Sequence, residues 1–72
     1  MTFNEISKLQ QYLRDTFGND RIKVQKRDQA DDSSEVMIGS EFIGVVYRDD
    51  DEGEVSYAFH MAIIDDDLPV TE

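Results

Sequence analysis

Large apolar side chains occupy every second position from Val55 to Ile63. Between them lie smaller or polar residues, among them Ala58 and His60. A period of two residues is typical of a β-strand with one buried face. The sequence therefore predicts a long strand over Glu54–Ile64, with one side chain in two facing the core: Val55, Tyr57, Phe59, Met61 and Ile63.

An amphipathic helix is predicted at the start of the chain, over residues 3–17. Thr2 followed by Glu5 has the spacing of a capping box, and Gly18 is a candidate left-handed C-cap. At 100° per residue, the apolar residues of this segment fall within an arc of about 120°. This apolar stripe is expected to pack on a sheet, and it consists of Phe3, Ile6, Leu9, Leu13 and Phe17.

Three shorter strands are predicted between the helix and the long strand. Arg21–Arg27 alternates weakly and is rich in basic residues, which suits an edge strand. Glu35–Ile38 and Phe42–Arg48 follow after an acidic loop over residues 28–34. A glycine turn at Gly39 joins them, since glycine adopts positive φ readily. Inside the last of these strands, the glycine at position 44 indicates a bulge or a close approach.

Together these elements predict an α+β fold, with one N-terminal amphipathic helix packed on a four-stranded antiparallel β-meander (α-β-β-β-β). We expect a single domain over residues 1–68 and a frayed acidic tail over residues 69–72. One helix covers only one face of a sheet. The helix-facing layer is predicted to contain Ile22, Val24, Val36, Ile38, Ile43, Val45, Tyr47 and the Val55–Ile63 series. The opposite face would expose Met37, Phe42, Val46, Ala58, Ala62 and Ile64.

Charge is distributed unevenly along the chain, whose formal net charge is −10. Residues 1–27 hold six basic and three acidic side chains, whereas residues 28–72 hold one basic and fourteen acidic side chains. This acidic balance disfavours nucleic acid and anionic lipid as partners, and it permits a basic protein. Neither a signal peptide nor an apolar run of about 20 residues is seen, so we predict a cytoplasmic protein with no membrane contact.

The residues that could carry chemistry do not form a recognisable catalytic set. Without cysteine, the chain cannot form a disulfide, a thiolate zinc site or a thiol nucleophile. The acidic run Asp49–Glu54 fails the spacing of a calcium-binding EF-hand loop, which needs glycine where Glu54 stands and glutamate where His60 stands. A looser carboxylate site that includes Asp65–Asp67 remains an alternative to a solvated hairpin tip. We predict no enzymatic activity and assign no catalytic, cofactor-binding or metal-binding residue.

The leading prediction is a non-enzymatic protein-interaction module that acts through an uncovered sheet face or a strand edge. A homodimer joined through the fourth strand or the open sheet face is also expected, because a long apolar edge strand needs a cover. Two alternatives remain. One is a carboxylate-based metal or small-ligand domain, and the other is an acidic decoy for a basic, nucleic-acid-binding protein. The predicted contact residues are Phe42, Val46, Ala58, His60 and Ala62, with electrostatic steering by Asp49, Asp50, Asp51 and Glu52.

Three segments of the chain resemble a family. They are Leu9–Gly18, Glu35–Asp49 and Asp51–Asp65, and the most specific part is the run Ile-Gly-Ser-Glu-Phe-Ile-Gly-Val-Val-Tyr-Arg-Asp at Ile38–Asp49. The chain is similar here to a small family of uncharacterised alphaproteobacterial proteins, known as a domain of unknown function. The resemblance covers about Glu5 to Leu68. It implies a compact bacterial cytoplasmic protein and supplies no catalytic residues.

Overall fold

The computed structural model describes residues 1–27, 32–51 and 53–70. Helix α1 spans Phe3–Phe17, and it is followed by four strands that form one sheet in the order β1-β2-β3-β4, with every neighbouring pair antiparallel. The predicted α-β-β-β-β meander is therefore confirmed. The strands are β1 at Ile22–Lys26, β2 at Ser33–Ile38, β3 at Glu41–Asp49 and β4 at Ser56–His60, and a short 3₁₀ turn follows at Asp65–Asp67.

Both ends of α1 are capped as predicted. The Thr2 hydroxyl accepts a hydrogen bond from the Glu5 amide at 3.1 Å, and the Glu5 carboxylate accepts one from the Thr2 amide at 3.0 Å. At the other end Gly18 has φ 60° and ψ 40°, a left-handed conformation that glycine adopts without a steric penalty. No helix among the described residues is long and apolar enough to cross a membrane.

The core lies between the middle of α1 and one face of the sheet. Of the predicted helical stripe, Ile6 and Leu13 are buried and Leu9 is half-buried, whereas Phe3 is 85% exposed and Phe17 is 59% exposed. The two ends of the stripe are thus solvated, and the expectation that all five residues pack was wrong for them. The buried apolar residues of the core are Ile6, Leu13, Ile22, Val24, Val36 and Val46.

Side chains of α1 occupy the outer edge of β1. The Gln10 side-chain oxygen accepts a hydrogen bond from the Val24 amide at 3.1 Å, and Arg14 Nε donates to the Ile22 carbonyl at 2.7 Å. These backbone groups of an edge strand would otherwise be open to another chain. The helix therefore both covers β1 and closes its free edge.

A bulge in β3 decides which of its side chains reach the core. Val36 of β2 pairs with Gly44, but the next residue, Met37, pairs with Phe42, so Ile43 is an extra residue in β3. Ile43 packs against the core, and Val46 also lies in the core at 2% exposure. An inserted residue reverses the alternation beyond it.

The predicted faces of the β3 side chains were therefore wrong for the residues after Gly44. Val46 was expected on the open face and is buried, while Val45 and Tyr47 were expected in the core. They lie on the opposite face, where Tyr47 is 45% exposed. The sequence indicated a bulge or a close approach at Gly44, and both are found, since the bulge lies next to Gly44 and β4 packs closely against it.

Strand β4 ends earlier than its sequence pattern predicts. Its last ladder pair joins His60 to Val45, immediately before the bulge in β3, and the segment that follows is exposed from Met61 to Val70. Val55, Met61 and Ile63 lie outside β4 and were predicted to be core residues, yet they are 47%, 52% and 62% exposed. The alternating sequence pattern could not show where β4 ends, because the end of the strand depends on where its partner β3 bends.

Candidate functional site

The sheet face opposite α1, here called the open face, carries three of the predicted contact residues. Tyr47 pairs with Ala58 and Val45 pairs with His60, so these side chains share one face. The Tyr47 and His60 rings meet edge to face, with centroids 5.2 Å apart. Phe42 lies on the same face beyond the bulge and is 54% exposed.

Two other predicted contact residues do not belong to this surface. Val46 was predicted on the open face, but it lies in the core on the helix side of the sheet at 2% exposure. Ala62 lies beyond the end of β4 in an exposed segment. Of the five predicted contact residues, Phe42, Ala58 and His60 therefore lie together on the open face, and Val46 and Ala62 do not.

The acidic hairpin between β3 and β4 is a solvated turn in its described part. Asp49, Asp50 and Asp51 are exposed, and Glu52 lies outside the described residues. The Asp51 amide donates to the Asp49 carboxylate at 3.0 Å, as acidic turn residues commonly do. In residues 1–27, 32–51 and 53–70, no three His, Cys, Asp or Glu side chains form a group that could hold a metal ion.

A groove separates α1 from β4 on the helix side of the sheet. It forms because α1 packs mainly over β1, so that the other half of the sheet is left partly uncovered. The groove has a volume of about 510 Å³ and is mainly apolar, with Lys8 on its helical rim. Its walls and floor include Leu9, Tyr12, Leu13, Val46 and Phe59.

One end of the groove is closed by a polar cluster of Glu5, Arg48 and Tyr57. A single carboxylate oxygen of Glu5 accepts hydrogen bonds from Arg48 Nε at 2.8 Å and from the Tyr57 hydroxyl at 2.6 Å. Arg48 and Tyr57 are ladder partners, so the sheet presents them side by side to the helix. The cluster fastens the first turn of α1 to β3 and β4.

The sequence prediction gave no role to this cluster. Glu5 was assigned only to the capping box, and Tyr57 only to the apolar face of the long strand. One signal was available, since Arg48 is the only basic residue among residues 28–72 and follows an apolar strand. Its partners could not be found from spacing alone, because they are 43 and 9 residues away in sequence and meet only through the register of the sheet.

Hydrogen bonding keeps the cluster in one charge state. The Thr2 amide and then the Tyr57 hydroxyl, helped by Arg48, lower the pKa of Glu5 from 4.5 to about 2, although partial burial opposes this shift. The same carboxylate raises the pKa of Tyr57 by accepting a hydrogen bond from its hydroxyl group, and the hydrogen bond to Asp50 is the main reason why the pKa of Arg48 is raised. Glu5 stays ionised and Tyr57 stays protonated at neutral pH. Such a cluster suits a structural clamp better than proton transfer.

The shifted pKa of Glu5 predicts how stability depends on pH. Because the folded-state pKa of about 2 lies below the unfolded value of 4.5, the Glu5 contribution is present above pH 4.5 and is lost as the pH falls toward 2. Glu5→Gln keeps a capping side chain but removes the charge. We expect this variant to be less stable at neutral pH and to lose less stability across the acidic range.

Urea denaturation at a series of pH values measures this effect. Asp20→Asn removes an exposed carboxylate from the turn after α1 and serves as the control. Equal pH dependence in the Glu5→Gln variant and the native chain would show that the ionised Glu5 carboxylate does not stabilise the fold.

The two edge strands of the sheet differ in whether their outer backbone groups are hydrogen-bonded. The outer edge of β1 is bonded by Gln10 and Arg14, and Lys23 and Lys26 add charge to that strand. By contrast, β4 is bonded to β3 on one side only, and no described residue hydrogen-bonds to its other edge. The sequence Ser-Tyr-Ala-Phe-His of β4 contains no Lys, Arg, Asp, Glu or Pro to discourage pairing.

Comparisons with known proteins identify a family without naming an activity. A family model described as "Protein of unknown function (DUF3126)" matches residues 5–67. No curated protein and no solved structure matches the chain.

Proposed function

The chain belongs to a family of proteins of unknown function (DUF3126), and we propose that it is a non-enzymatic interaction module that binds an extended strand of another polypeptide along β4. The observation that carries this proposal is the unpaired, uncharged outer edge of β4. An incoming strand would gain main-chain hydrogen bonds there, as in other cases of β-strand addition.

The groove supports the proposal because it lies directly beside this edge. Side chains of an added strand alternate between the two faces of the sheet. Those on the helix side would lie next to Tyr57 and Phe59, both of which line the groove. Those on the other side would lie next to Ala58 and His60 on the open face. Burial of apolar surface in the groove then adds affinity to the backbone bonds.

Charge indicates which extended segments are suitable. Asp49 and Asp51 are exposed at one end of the β3–β4 hairpin, and Asp65–Asp67 follow at the other end of β4. A strand with an apolar centre and few acidic residues would avoid repulsion from both groups. We therefore expect the bound segment to be apolar along β4 and neutral or basic beyond its ends.

A displayed library of short random peptides tests the proposal, because selection from it requires no identified partner. We expect the selected peptides to alternate apolar residues and to perturb the backbone amide signals of Tyr57 and Phe59 in solution. Tyr12→Lys places a charge on the groove wall at a residue that is 65% exposed and outside the buried core. This variant should bind the selected peptides at least about tenfold more weakly, because the charge resists desolvation.

Ser7→Lys is the matched control, since Ser7 is an exposed residue of α1 that does not line the groove. It should bind the peptides as the native chain does. Signal changes confined to the region of Phe42, with no effect of Tyr12→Lys, would contradict pairing along β4. Such a result would indicate that the peptides bind to the open face and not along the edge of β4.

Two alternatives were a carboxylate-based metal domain and an acidic decoy. Asp49, Asp51 and Glu54 line a shallow polar pocket at the β3–β4 hairpin, but no three acidic side chains of the described residues are grouped closely enough to hold a metal ion, so the metal alternative gains no support. The acidic decoy depends on charge alone, so its binding should collapse as salt rises, whereas a strand held in an apolar groove should resist salt. Bacterial origin and cytoplasmic location stay predictions from the resemblance.

A further inference from the structure

We propose that the strand bound along β4 is the β4 strand of a second copy of this chain, paired antiparallel about a two-fold axis at Ala58. This inference rests on the proposed function and names its partner. It joins two sheets into one of eight strands, with both helices on the same side.

The unpaired edge has a definite direction of hydrogen bonding. The His60 carbonyl lies against Gly44 of β3, so it is turned inward toward that strand. Backbone groups of successive residues in an antiparallel strand point alternately to its two sides. The amide and carbonyl groups of Tyr57 and Phe59 therefore point outward. They are the groups that a second strand must satisfy.

Pairing about a two-fold axis at Ala58 would give each of these backbone groups a hydrogen-bond partner. Ala58 then faces its own copy, and Tyr57 faces Phe59 of the second copy on both sides of the axis. Each of these two pairs exchanges two backbone hydrogen bonds, and their rings meet on the groove side of the sheet. The five residues Ser56–His60 overlap completely in this register alone.

Charge also favours this register. Two chains of net charge −10 repel each other, so self-association needs a contact where acidic residues do not face one another. In the Ala58 register, Glu54 of one copy faces Ala62 of the other, and Ser56 faces His60. No like charges face each other within residues 53–63. The first such pair, Asp51 with Asp65, lies beyond that segment. The exposed Met61 and Ile63 would lie opposite Val55 and Gly53. This pairing would cover two apolar side chains that are more than half exposed in the single chain.

Complementary charges at the axis test the register directly. Ala58→Lys and Ala58→Glu each place two like charges opposite one another at a non-hydrogen-bonded pair, where side chains are closest. Native mass spectrometry and sedimentation at high micromolar concentration should show a dimer for the native chain. Each variant alone should dissociate at least about tenfold more readily. An equal mixture of the two variants should form a Lys–Glu heterodimer, since the charges then attract.

Phe42→Lys and Phe42→Glu provide the matched control. Phe42 is an exposed residue of the same sheet face, but it lies beyond the bulge and has no ladder partner in β4. Both control variants should remain dimeric. Circular dichroism verifies that every variant is folded, as expected for substitutions at exposed positions.

The outcomes separate the inference from the proposed function. A monomeric native chain that still binds selected peptides along β4 would overturn the self-pairing and leave the proposed function standing. Failure of both assays would overturn both. A dimer that tolerates Ala58→Lys and Ala58→Glu would place the interface elsewhere. Disrupted variants that are not rescued by mixing would overturn the axis at Ala58.

Discussion

Leu13→Ala is expected to lower the free energy of unfolding by about 2–5 kcal/mol, the range for truncating a buried leucine. Leu13 is only 7% exposed and belongs to the core cluster that joins α1 to the sheet. At roughly 0.05–0.15 kcal/mol per residue, a domain of 72 residues has a total stability of about 4–11 kcal/mol, which is only about twice this loss. The variant should therefore be substantially unfolded at moderate urea concentrations where the native chain is folded.

Phe17→Ala is the matched control for this prediction. Phe17 belongs to the same predicted stripe of α1, but it is 59% exposed. Its truncation should change stability by no more than about 0.5 kcal/mol, as for most surface substitutions. Urea midpoints for the two variants provide the comparison. Similar losses from both would mean that Phe17 is buried in solution, as a covering second chain could cause.

Gly44→Ala should destabilise the fold by about 1–3 kcal/mol, the usual cost of forcing extra volume into a packed region. A Cβ atom at position 44 would meet the His60 carbonyl and would lie 2.6 Å from Cε1 of Phe59. The φ angle of Gly44 is not among the positive ones, so space rather than backbone conformation requires glycine here. The added methyl group should push β4 and the Phe59 ring away from β3.

Double-mutant analysis separates these contacts. Removing the ring with Phe59→Ala relieves one of the two contacts, so the double variant should be more stable than the sum of the single effects predicts. Strict additivity would show that the ring and the glycine do not interact. Since Phe59 also lines the groove, Gly44→Ala should weaken binding of the selected peptides as well.

Local signals in the sequence were sufficient for much of the fold. The capping residues Thr2, Glu5 and Gly18 mark the ends of α1, and Gly39 has the positive φ expected of its turn. Four successive strands were predicted along the chain, because each has its own run of apolar residues bounded by turn residues, and the antiparallel meander was the simplest arrangement of them. Such signals act over a few residues, so they can be recognised before the partner strands are identified.

The candidate site was only partly predictable. Phe42, Ala58 and His60 do share the open face, as the period of two residues indicates. Val46 does not, because a single extra residue at Ile43 reverses the alternation that follows it. The groove was not predicted at all, since it depends on where α1 lies across the sheet.

The sequence by itself determined the number and type of the elements of this protein, their succession along the chain and its excess of acidic residues. Periodicity, caps and turns are local, and each is encoded by neighbouring residues. Only the tertiary structure decided that Glu5 meets Arg48 and Tyr57, that α1 closes the edge of β1, and that β4 keeps its edge open. These features depend on strand register and helix placement, which the packing of distant residues sets.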